Sequence, residues 1–455
     1  MGHQSLEDVL KTTNPVERLR NSQIGPYAFP VVRPEFSNWR DEQRAWRETC
    51  ALFDQSHHMS DLYIEGPDAL QVLSDLGINS FKNFKVNQAK QLIACNQSGY
   101  VIGDAILFYL DHHRFNLVGR PPALNWVQYN VEAGGYQATA VRDERSAVNQ
   151  GRRQTYRYQI QGPNAVRVME KVTGKPAPDI RFFHMDVFHV AERSVRALRH
   201  GMVGQPGWEL FGPWEDGDAV RDAIISAGQE YGIRQVGSRA YPTTCLESGW
   251  VPSPLPAIYT GDELKAYRQW LTTKSYEATA SLGGSFYSNN ITDYYLTPYE
   301  LGYGPFVKFD HDFVGRAALE KMESNQARKK VTLVWNGDDI ARAFGSLFSD
   351  GDIAKYIDLP LANYSTLPFD KVLKNGKIIG LSTYTGYTYN ERAMLSLGII
   401  DMAHSDAGNE VTLVWGEESR GSSKPTVERH KQVEIRATVA SVPYAEVARV
   451  AYRPH

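Results

Sequence analysis

The chain has 455 residues, and its 49 basic residues nearly balance its 52 acidic ones, giving a formal charge of -3. This length predicts about three domains, and the lack of a polybasic block argues against nucleic acid or an anionic membrane as a partner. The three cysteines are widely spaced, residues 1–6 contain no apolar signal core, and no apolar run approaches the ~20 residues that cross a bilayer, so we expect a cytoplasmic protein.

The first strong pattern along the chain is helical. Residues from about Trp39 to Cys50 place Trp39, Trp46 and Cys50 on one face, while charged residues fill the other faces. This amphipathic spacing predicts a surface helix that covers the first hydrophobic core.

Residues 62–73 and 158–169 repeat a second pattern, in which a short alternating strand runs through Gly-Pro into a helix. A proline at the start of a helix needs no backbone donor. The repeat predicts two similar α+β subdomains packed together with a cleft between them. A chance likeness of two Gly-Pro turns is the alternative, because such turns are common.

The C-terminal part reads as antiparallel β-structure. Val331–Trp335 recurs as Val411–Trp415, and both copies predict strand-turn-strand units. An Asn-Gly hairpin turn at 375–376 and the alternating residues 433–439 extend the pattern, so an antiparallel barrel or sandwich is expected. With a polar linker at 323–330, the predicted domains are a catalytic region of two intertwined subdomains (1–326) and a C-terminal domain (327–455).

Residues 236–250 place the phenol of Tyr241 between Arg239 and Glu247 in sequence. Pro242 biases Tyr241 out of the helical region, so a strand or loop is expected to break there. If the two side chains share a face, Arg239 should lower the pKa of the phenol. From the local sequence alone, a core tyrosine with a satisfied hydroxyl is the simpler explanation.

Several cofactor motifs are absent from the sequence. There is no Gly-x-Gly-x-x-Gly after a strand, no P-loop and no His-Glu-x-x-His, which argues against a dinucleotide cofactor, nucleotide hydrolysis and zinc proteolysis. His57 and His58 are adjacent, but neighbours on a strand point to opposite faces and no third ligand has metal spacing. No metal site is therefore predicted.

Four segments together carry a longer pattern. They are Leu52-Phe-Asp-Gln-Ser-His-His-Met59 with the strand and Gly-Pro turn after it, Asn96-Gln-Ser-Gly-Tyr-Val-Ile-Gly-Asp104, Gly204-Gln-Pro-Gly-Trp-Glu-Leu210, and residues 241–250 with 297–300 and 313–316. In order and spacing they resemble the glycine-cleavage T-protein family of tetrahydrofolate-dependent aminomethyl and methyl transferases. The resemblance implies an α+β fold, a T-protein-like cloverleaf of two related α+β subdomains and a C-terminal antiparallel β-barrel.

Two departures narrow the resemblance. Gly-Ser-Arg-Ala-Tyr241 stands where T-proteins carry a Gly-x-Arg-Asp-type turn, and His57-His58 stands where they usually have one histidine. Both resemble the aryl-ether branch, the bacterial O-demethylases of lignin-derived methoxybenzoates, and this match runs from Leu19 to Tyr444. It implies a cytoplasmic enzyme that moves the methyl group of a small aromatic acid to tetrahydrofolate, giving 5-methyltetrahydrofolate and a free phenol.

The resemblance also implies roles for residues of the aryl pocket. Tyr241 would protonate the departing oxygen, and an ordinary tyrosine pKa of about 10 would match that of the released phenol. Arg120 would bind the benzoate carboxylate, because a guanidinium suits bidentate recognition. His58 and Gln55 would line the aryl pocket, although capping or core roles explain them equally well. Phe29 replaces a tyrosine of the vanillate enzymes, which favours syringate through added apolar room.

Three further residues are implied at the folate site. Glu209 is expected on a loop that presents its carboxylate to the paired N–H donors of the pterin ring. Asp104 resembles the family's folate-site aspartate at the end of a glycine turn. Trp250 is expected to stack on the pterin or the substrate ring, with a core tryptophan as the alternative.

Other functions stay open at this point. Vanillate or 3-O-methylgallate are alternative substrates. A true aminomethyltransferase would need a basic surface for a lipoyl carrier protein, and no basic cluster stands out. A folate-binding factor without turnover would not require the set of Arg120, Tyr241 and His58. The sequence does not indicate an oligomeric state.

Overall fold

The computed structural model describes residues 4–149, 152–252, 254–418 and 424–451. Its α-helices are α1 (Leu6–Leu10), α2 (Pro15–Arg20), α3 (Trp39–Glu48), α4 (Ala69–Leu76), α5 (Pro121–Ala133), α6 (Ala165–Thr173), α7 (Gly217–Gly228), α8 (Thr244–Ser248), α9 (Lys265–Trp270), α10 (Tyr276–Thr279), α11 (Arg316–Met322) and α12 (Gly337–Gly345). Short 3-10 helices span Trp214–Asp216, Gln229–Tyr231, Tyr241–Thr243, Asp262–Leu264, Ile291–Tyr294, Gly304–Phe306, Ser346–Phe348 and Met402–His404, and a π-helix spans Val447–Ala451. Within these ranges no helix has the length and apolar character needed to cross a bilayer.

The strands are β1 (Cys50–Asp54), β2 (Ser60–Glu65), β3 (Ala89–Cys95), β4 (Val101–Asp111), β5 (Arg114–Gly119), β6 (Thr139–Asp143), β7 (Thr155–Gln161), β8 (Met185–Val190), β9 (Arg193–Arg199), β10 (Gly207–Pro213), β11 (Ile233–Val236), β12 (Leu282–Gly283), β13 (Arg328–Trp335), β14 (Leu367–Pro368), β15 (Asp370–Lys374), β16 (Lys377–Thr388), β17 (Ala393–Asp401), β18 (Glu410–Trp415) and β19 (Val433–Ala440). They form a five-stranded sheet in the order β3-β4-β5-β2-β6 and a six-stranded sheet in the order β11-β1-β7-β10-β9-β8. The first is antiparallel throughout, and the second has one parallel pair, β1 with β11. β12 and β14 form a short parallel pair.

The predicted strand-to-helix repeat is confirmed. β2 passes through Gly66 into α4 in the five-stranded sheet, and β7 passes through Gly162 into α6 in the six-stranded sheet. Both glycines have a positive φ, 134° and 130°, and an added Cβ would meet a backbone oxygen at 2.4 and 2.7 Å. Only glycine fits such a turn. The helices begin at Ala69 and Ala165, two residues after the proline rather than at it.

The helix predicted from Trp39 is shorter than expected. α3 ends at Glu48, and Cys50 is buried in β1 rather than on the helix. Its buried face also includes the charged residue Glu42, whose carboxylate accepts hydrogen bonds from the backbone N–H groups of Ser37 (3.0 Å) and Gly237 (2.8 Å). α3 therefore ties the start of the chain to the segment that follows β11.

The C-terminal strands close into an antiparallel barrel in the order β13-β17-β16-β15-β18-β19. The predicted Asn-Gly turn joins β15 to β16, and the repeated segments lie in β13 and β18, with the Trp335 and Trp415 rings 5.4 Å apart in the barrel core. The strand-turn-strand prediction is wrong for the first copy, since α12 follows β13. The predicted linker is also too long, because β13 already begins at Arg328. A domain boundary at residue 327 stays a prediction.

Candidate active site

Tyr241 lies where the chain leaves β11 and turns into helix. The 3-10 helix Tyr241–Thr243 leads directly into α8, and the backbone N–H of Tyr241 donates to the Gly237 carbonyl oxygen (3.0 Å). The expectation that Pro242 would keep Tyr241 out of a helix is wrong. Pro242 lies in the first turn of this helix, where its missing N–H costs no hydrogen bond.

The two charges that flank Tyr241 in sequence do not flank its phenol in space. Arg239 is half-exposed and pairs with Glu35 (3.2 Å), while Glu247 is fully buried and accepts from the Trp46 indole N–H (3.1 Å). Burial instead raises the pKa of Tyr241 well above its ordinary value. The prediction that Arg239 lowers this pKa is therefore wrong.

The phenol of Tyr241 sits in a buried aromatic cluster with the residues predicted for the aryl pocket. The Gln55 side-chain amide donates to the Tyr241 hydroxyl oxygen (2.8 Å). The rings of Phe29, Phe53 and His58 lie 5.1, 5.3 and 4.9 Å from the Tyr241 ring. Because the hydroxyl oxygen already accepts from Gln55, its own proton is left to donate elsewhere.

His58 is a neutral polar group in this cluster. Its ring stacks on Phe29 at 4.5 Å, and its Nδ1 atom is buried without a hydrogen-bond partner among the described residues. Burial, with the positive charge of Arg120 second, lowers the pKa of His58 to about 3. An uncharged imidazole with an unpaired nitrogen is suited to a hydrogen bond with a ring hydroxyl or ether oxygen.

This low pKa predicts acid sensitivity. Between the ordinary histidine value of 6.5 and about 3, the unfolded chain takes up a proton at His58 that the folded chain does not. The free energy of unfolding should therefore decrease as the pH is lowered through this window, by up to about 1.4 kcal/mol per pH unit from this one group. We expect His58→Gln to flatten the pH dependence measured by urea unfolding between pH 6.5 and 4. The same replacement at the exposed residue His112 is the control, and an equal slope in wild type and His58→Gln would contradict the prediction.

Arg120 lies between this pocket and a second polar cluster. It precedes α5, which approaches β4 so closely that a Cβ on Gly103 would meet the Ala123 nitrogen at 2.8 Å. Its charge acts on His58, and it also opposes the burial that raises the pKa of Asp104. The charge of the predicted substrate arginine therefore acts both at His58 and at Asp104, and its guanidinium lies over the Tyr27 ring.

Asp104 and Trp250, both predicted for the folate site, are bonded to each other. The Trp250 indole N–H donates to Asp104 Oδ2 (3.1 Å), and the same oxygen accepts from Tyr303 (3.1 Å) and Gln91 (2.5 Å). Asp104 lies inside β4, past the glycine turn at 96–99 where the sequence placed it. Trp250 is half-buried, with its ring orientation set by this bond. Sequence reasoning missed Tyr303, which lies 199 residues from Asp104, and Gln91, which lies on the neighbouring strand β3 outside the recognised segments.

Glu209 lies on β10, not on the predicted loop, and it is buried. Its Oε1 accepts from Arg157, and its Oε2 lies 3.7 Å from the unpaired Nδ1 of His200. Arg157 also contacts Asp61 on β2 (3.1 Å), so one guanidinium links the two sheets. Burial disfavours its charge, but the two carboxylates outweigh burial and raise the pKa of Arg157.

Next to this ion pair, β7 carries a buried polar row. Arg157, Gln159 and Gln161 alternate with apolar residues and are at most 2% exposed. Gln159 is the register partner of Glu209, and its Oε1 has no hydrogen-bond partner in the described residues. The period-two spacing of these residues was visible in the sequence and predicts one shared face of a strand.

His57 does not join the site. It lies with His58 in a turn between β1 and β2, where its Nδ1 contacts the Ser146 hydroxyl (2.9 Å) and its Nε2 contacts Asp54 (3.5 Å). Over the described ranges, no cluster of histidine, cysteine and acidic side chains has the arrangement of a metal site.

Comparison with known proteins shows which family the chain belongs to. A family model described as the GCVT N-terminal domain matches residues 20–253. Syringate O-demethylase from Sphingobium sp. strain SYK-6 is 50% identical over 451 residues, which cover 99% of this chain and 98% of that protein. The chain belongs to the GCVT family.

Two more distant proteins also resemble this chain, one in sequence and one in fold. Sesamin methylene transferase from Sinomonas sp. strain No.22 is 30% identical over 438 residues, covering 93% of this chain and 92% of that protein. The crystal structure of glycine cleavage system aminomethyltransferase T from Bartonella henselae superposes with a TM-score of 0.61 at 19% identity, covering 95% and 97% of the two chains. This likeness confirms the T-protein-like fold. The roles of the individual site residues stay predictions.

Proposed function

We propose that this chain is a tetrahydrofolate-dependent O-demethylase. It moves the methyl group of a lignin-derived methoxybenzoate, with syringate favoured, to tetrahydrofolate and releases 5-methyltetrahydrofolate and the free phenol. Its partners are this small aromatic acid and the folate. A cytoplasmic location fits its three cysteines, all of them buried and free.

The observation that carries this proposal is the Tyr241 hydroxyl inside the buried aromatic cluster. Gln55 donates to its oxygen, so its proton is directed away from Gln55 and toward a ligand. Phe29 and His58 supply an apolar wall and a neutral polar group beside it. The chain is 50% identical to a syringate O-demethylase over 99% of its length, and this similarity supports the same class of reaction.

Buried polar atoms near Glu209 lack hydrogen-bond partners among the described residues, and a bound folate would supply such partners. Gln159 Oε1 and His200 Nδ1 are unpaired beside the Glu209 carboxylate, and a pterin edge offers both N–H donors and acceptors. Glu209 would accept from the paired N–H donors, with Gln159 and His200 completing the hydrogen bonds. Trp250, fixed by Asp104, would lie against a ring.

Tetrahydrofolate, when bound, supplies the N-5 nucleophile that accepts the methyl group. Tyr241 would donate a hydrogen bond from its O–H to the ether oxygen as the carbon–oxygen bond breaks, because phenoxide is otherwise a poor leaving group. The proton that N-5 loses on methylation balances the proton that the released phenol gains. The raised pKa of Tyr241 disfavours a free tyrosinate, so this residue acts mainly by a strong hydrogen bond to the developing phenoxide. Stabilisation by a buried hydrogen-bond donor therefore replaces the match between the pKa values of Tyr241 and the released phenol that the sequence predicted.

Replacing Glu209 with glutamine is expected to weaken folate binding selectively. The substitution keeps the shape of the side chain but removes the charge that strengthens two hydrogen bonds, each worth about 1.5–3 kcal/mol. KM for tetrahydrofolate should rise at least tenfold, while KM for the aromatic acid changes little. Steady-state kinetics with each substrate varied in turn would measure both, and an equal rise of the two KM values would contradict the assignment.

The ring of Phe29 bears on which acid is preferred. It lies beside both His58 and Tyr241 and offers no hydroxyl, so a second methoxy group meets apolar surface. Syringate should therefore have a higher kcat/KM than vanillate or 3-O-methylgallate.

One incubation tests the proposed function. Purified protein with syringate and tetrahydrofolate should form 5-methyltetrahydrofolate and demethylated acid in equal amounts. Chromatography would measure both products. Parallel reactions with vanillate and 3-O-methylgallate rank the substrates. Folate binding without product would indicate a non-catalytic folate-binding factor, and turnover only with an aminomethylated lipoyl carrier protein would indicate an aminomethyltransferase.

A further inference from the structure

A second guanidinium contacts the same tyrosine ring as the predicted substrate arginine. The Cζ atoms of Arg120 and Arg145 lie 4.1 and 4.7 Å from the centroid of one ring, that of Tyr27. Tyr27 in turn donates its hydroxyl to the His58 carbonyl oxygen and contacts the Phe29 ring edge-on at 6.1 Å. Both arginines therefore border the aryl pocket.

Arg145 carries hydrogen-bonding capacity that the described residues do not use. Its Nη1 atom is buried and has no partner, and none of the described carboxylates forms an ion pair with it. The two acidic residues before it are engaged elsewhere: Asp143 pairs with Arg153 (3.0 Å), and Glu144 accepts from Ser60 (2.7 Å). A buried guanidinium N–H without a partner is costly, so a ligand that satisfies it is favoured.

Hydrogen bonds hold the backbone around Arg145 in place, and they thereby define where its side chain starts. Its N–H donates to the Ser60 hydroxyl oxygen (3.1 Å), and the next residue, Ser146, donates its N–H to the His57 carbonyl oxygen (3.0 Å). These bonds hold the segment against the turn that carries His58. The positive charge of Arg145 is also felt at the His58 ring.

We propose that Arg145 binds the carboxylate of the aromatic acid together with Arg120, and so sets the preference of the pocket for aromatic acids over neutral aryl ethers. This inference rests on the proposed function, which it deepens by naming a residue for substrate charge. Two guanidinium groups offer more N–H donors to one carboxylate than a single bidentate arginine does. Stacking on Tyr27 holds both planar groups in place.

The test compares an acid with its uncharged analogue. Syringate and its primary amide share the ring and the ether, but only syringate carries a carboxylate. In Arg145→Met, KM for syringate should rise about tenfold to a hundredfold, the loss expected for one charge-assisted hydrogen bond, while KM for the amide stays within about twofold. Arg145→Lys, which keeps the charge, should recover part of the syringate affinity.

Arg152→Met is the matched control, because Arg152 is exposed and pairs with Glu215 on the surface. Calorimetric titration of syringate without folate gives a second measurement that requires no turnover. Loss of binding in Arg145→Met but not in the control supports the role even if the wild type shows no demethylation, an outcome that would overturn only the proposed function. Wild-type affinity for syringate in Arg145→Met, or an equal loss for acid and amide, would overturn the role of Arg145.

Discussion

Tyr241→Phe is expected to lower kcat by about a hundred- to ten-thousand-fold while tetrahydrofolate still binds. The change removes only the O–H group that we propose donates to the departing oxygen, and the ring keeps its contacts with Phe53 and His58. Gln55 keeps a contact to the Met202 sulfur (3.4 Å), so the pocket retains its shape. Initial rates of 5-methyltetrahydrofolate formation and the folate dissociation constant would measure the two effects.

A buried tyrosine outside the site supplies the control. Tyr259 is 6% exposed and donates its hydroxyl to the Glu277 carbonyl oxygen (2.8 Å), so Tyr259→Phe also loses one buried hydrogen bond. That variant should keep kcat near the wild-type value. A Tyr241→Phe enzyme with near wild-type kcat would remove Tyr241 from the reaction.

The raised pKa of Tyr241 adds a pH dependence to this result. Because burial holds the pKa above the ordinary tyrosine value, the protonated donor persists at alkaline pH. The wild-type kcat should therefore show no fall near pH 10 caused by ionisation of Tyr241. An alkaline fall that is present in wild type and absent in Tyr241→Phe would show the opposite.

Arg157→Leu is expected to destabilise the fold by about 3–5 kcal/mol, because it leaves the buried Glu209 carboxylate without its cationic partner. Arg157 also packs between the rings of Phe108 and Phe211, each 4.8 Å from its Cζ. The free energy of unfolding from urea titration would measure the loss. Arg152→Leu, at an exposed ion pair, should change it by less than about 1 kcal/mol.

A second substitution separates charge from packing. If the uncompensated charge of Glu209 causes the loss, then Arg157→Leu combined with Glu209→Gln should be more stable than Arg157→Leu alone. A double variant that is less stable than the wild type by the sum of the two single-variant losses would indicate that the two residues act independently.

The overall architecture could be predicted from patterns that are local in sequence. Strand alternation, the two Gly-Pro turns and the Asn-Gly hairpin each depend on neighbouring residues, and all three appear in the structure. The errors were also local. Cys50 has the helical spacing of Trp46 but belongs to β1, where it pairs with β11, a strand more than 180 residues later in the chain. Tertiary pairing overrides a helix boundary that periodicity alone cannot fix.

The family resemblance located residues that the structure brings together. Tyr241, Gln55, His58 and Phe29 come from three separate segments and share one aromatic cluster. The spacing of residues in the sequence did not reveal side chains that interact across different segments of the fold. Neither Arg157 nor Arg145 belongs to a motif, and each matters through contacts with residues far away in sequence.

The sequence by itself determined the family and the two-subdomain fold with its barrel, and it predicted a set of candidate site residues, because motifs and periodicity depend on neighbouring positions. Only the tertiary structure decided the electrostatics of the site. It moved Arg239 away from the phenol, raised the pKa of Tyr241 through burial, and tied Glu209 to Asp61 through one guanidinium. Burial and charge at a point in space depend on every segment that folds around it, and no local pattern encodes them.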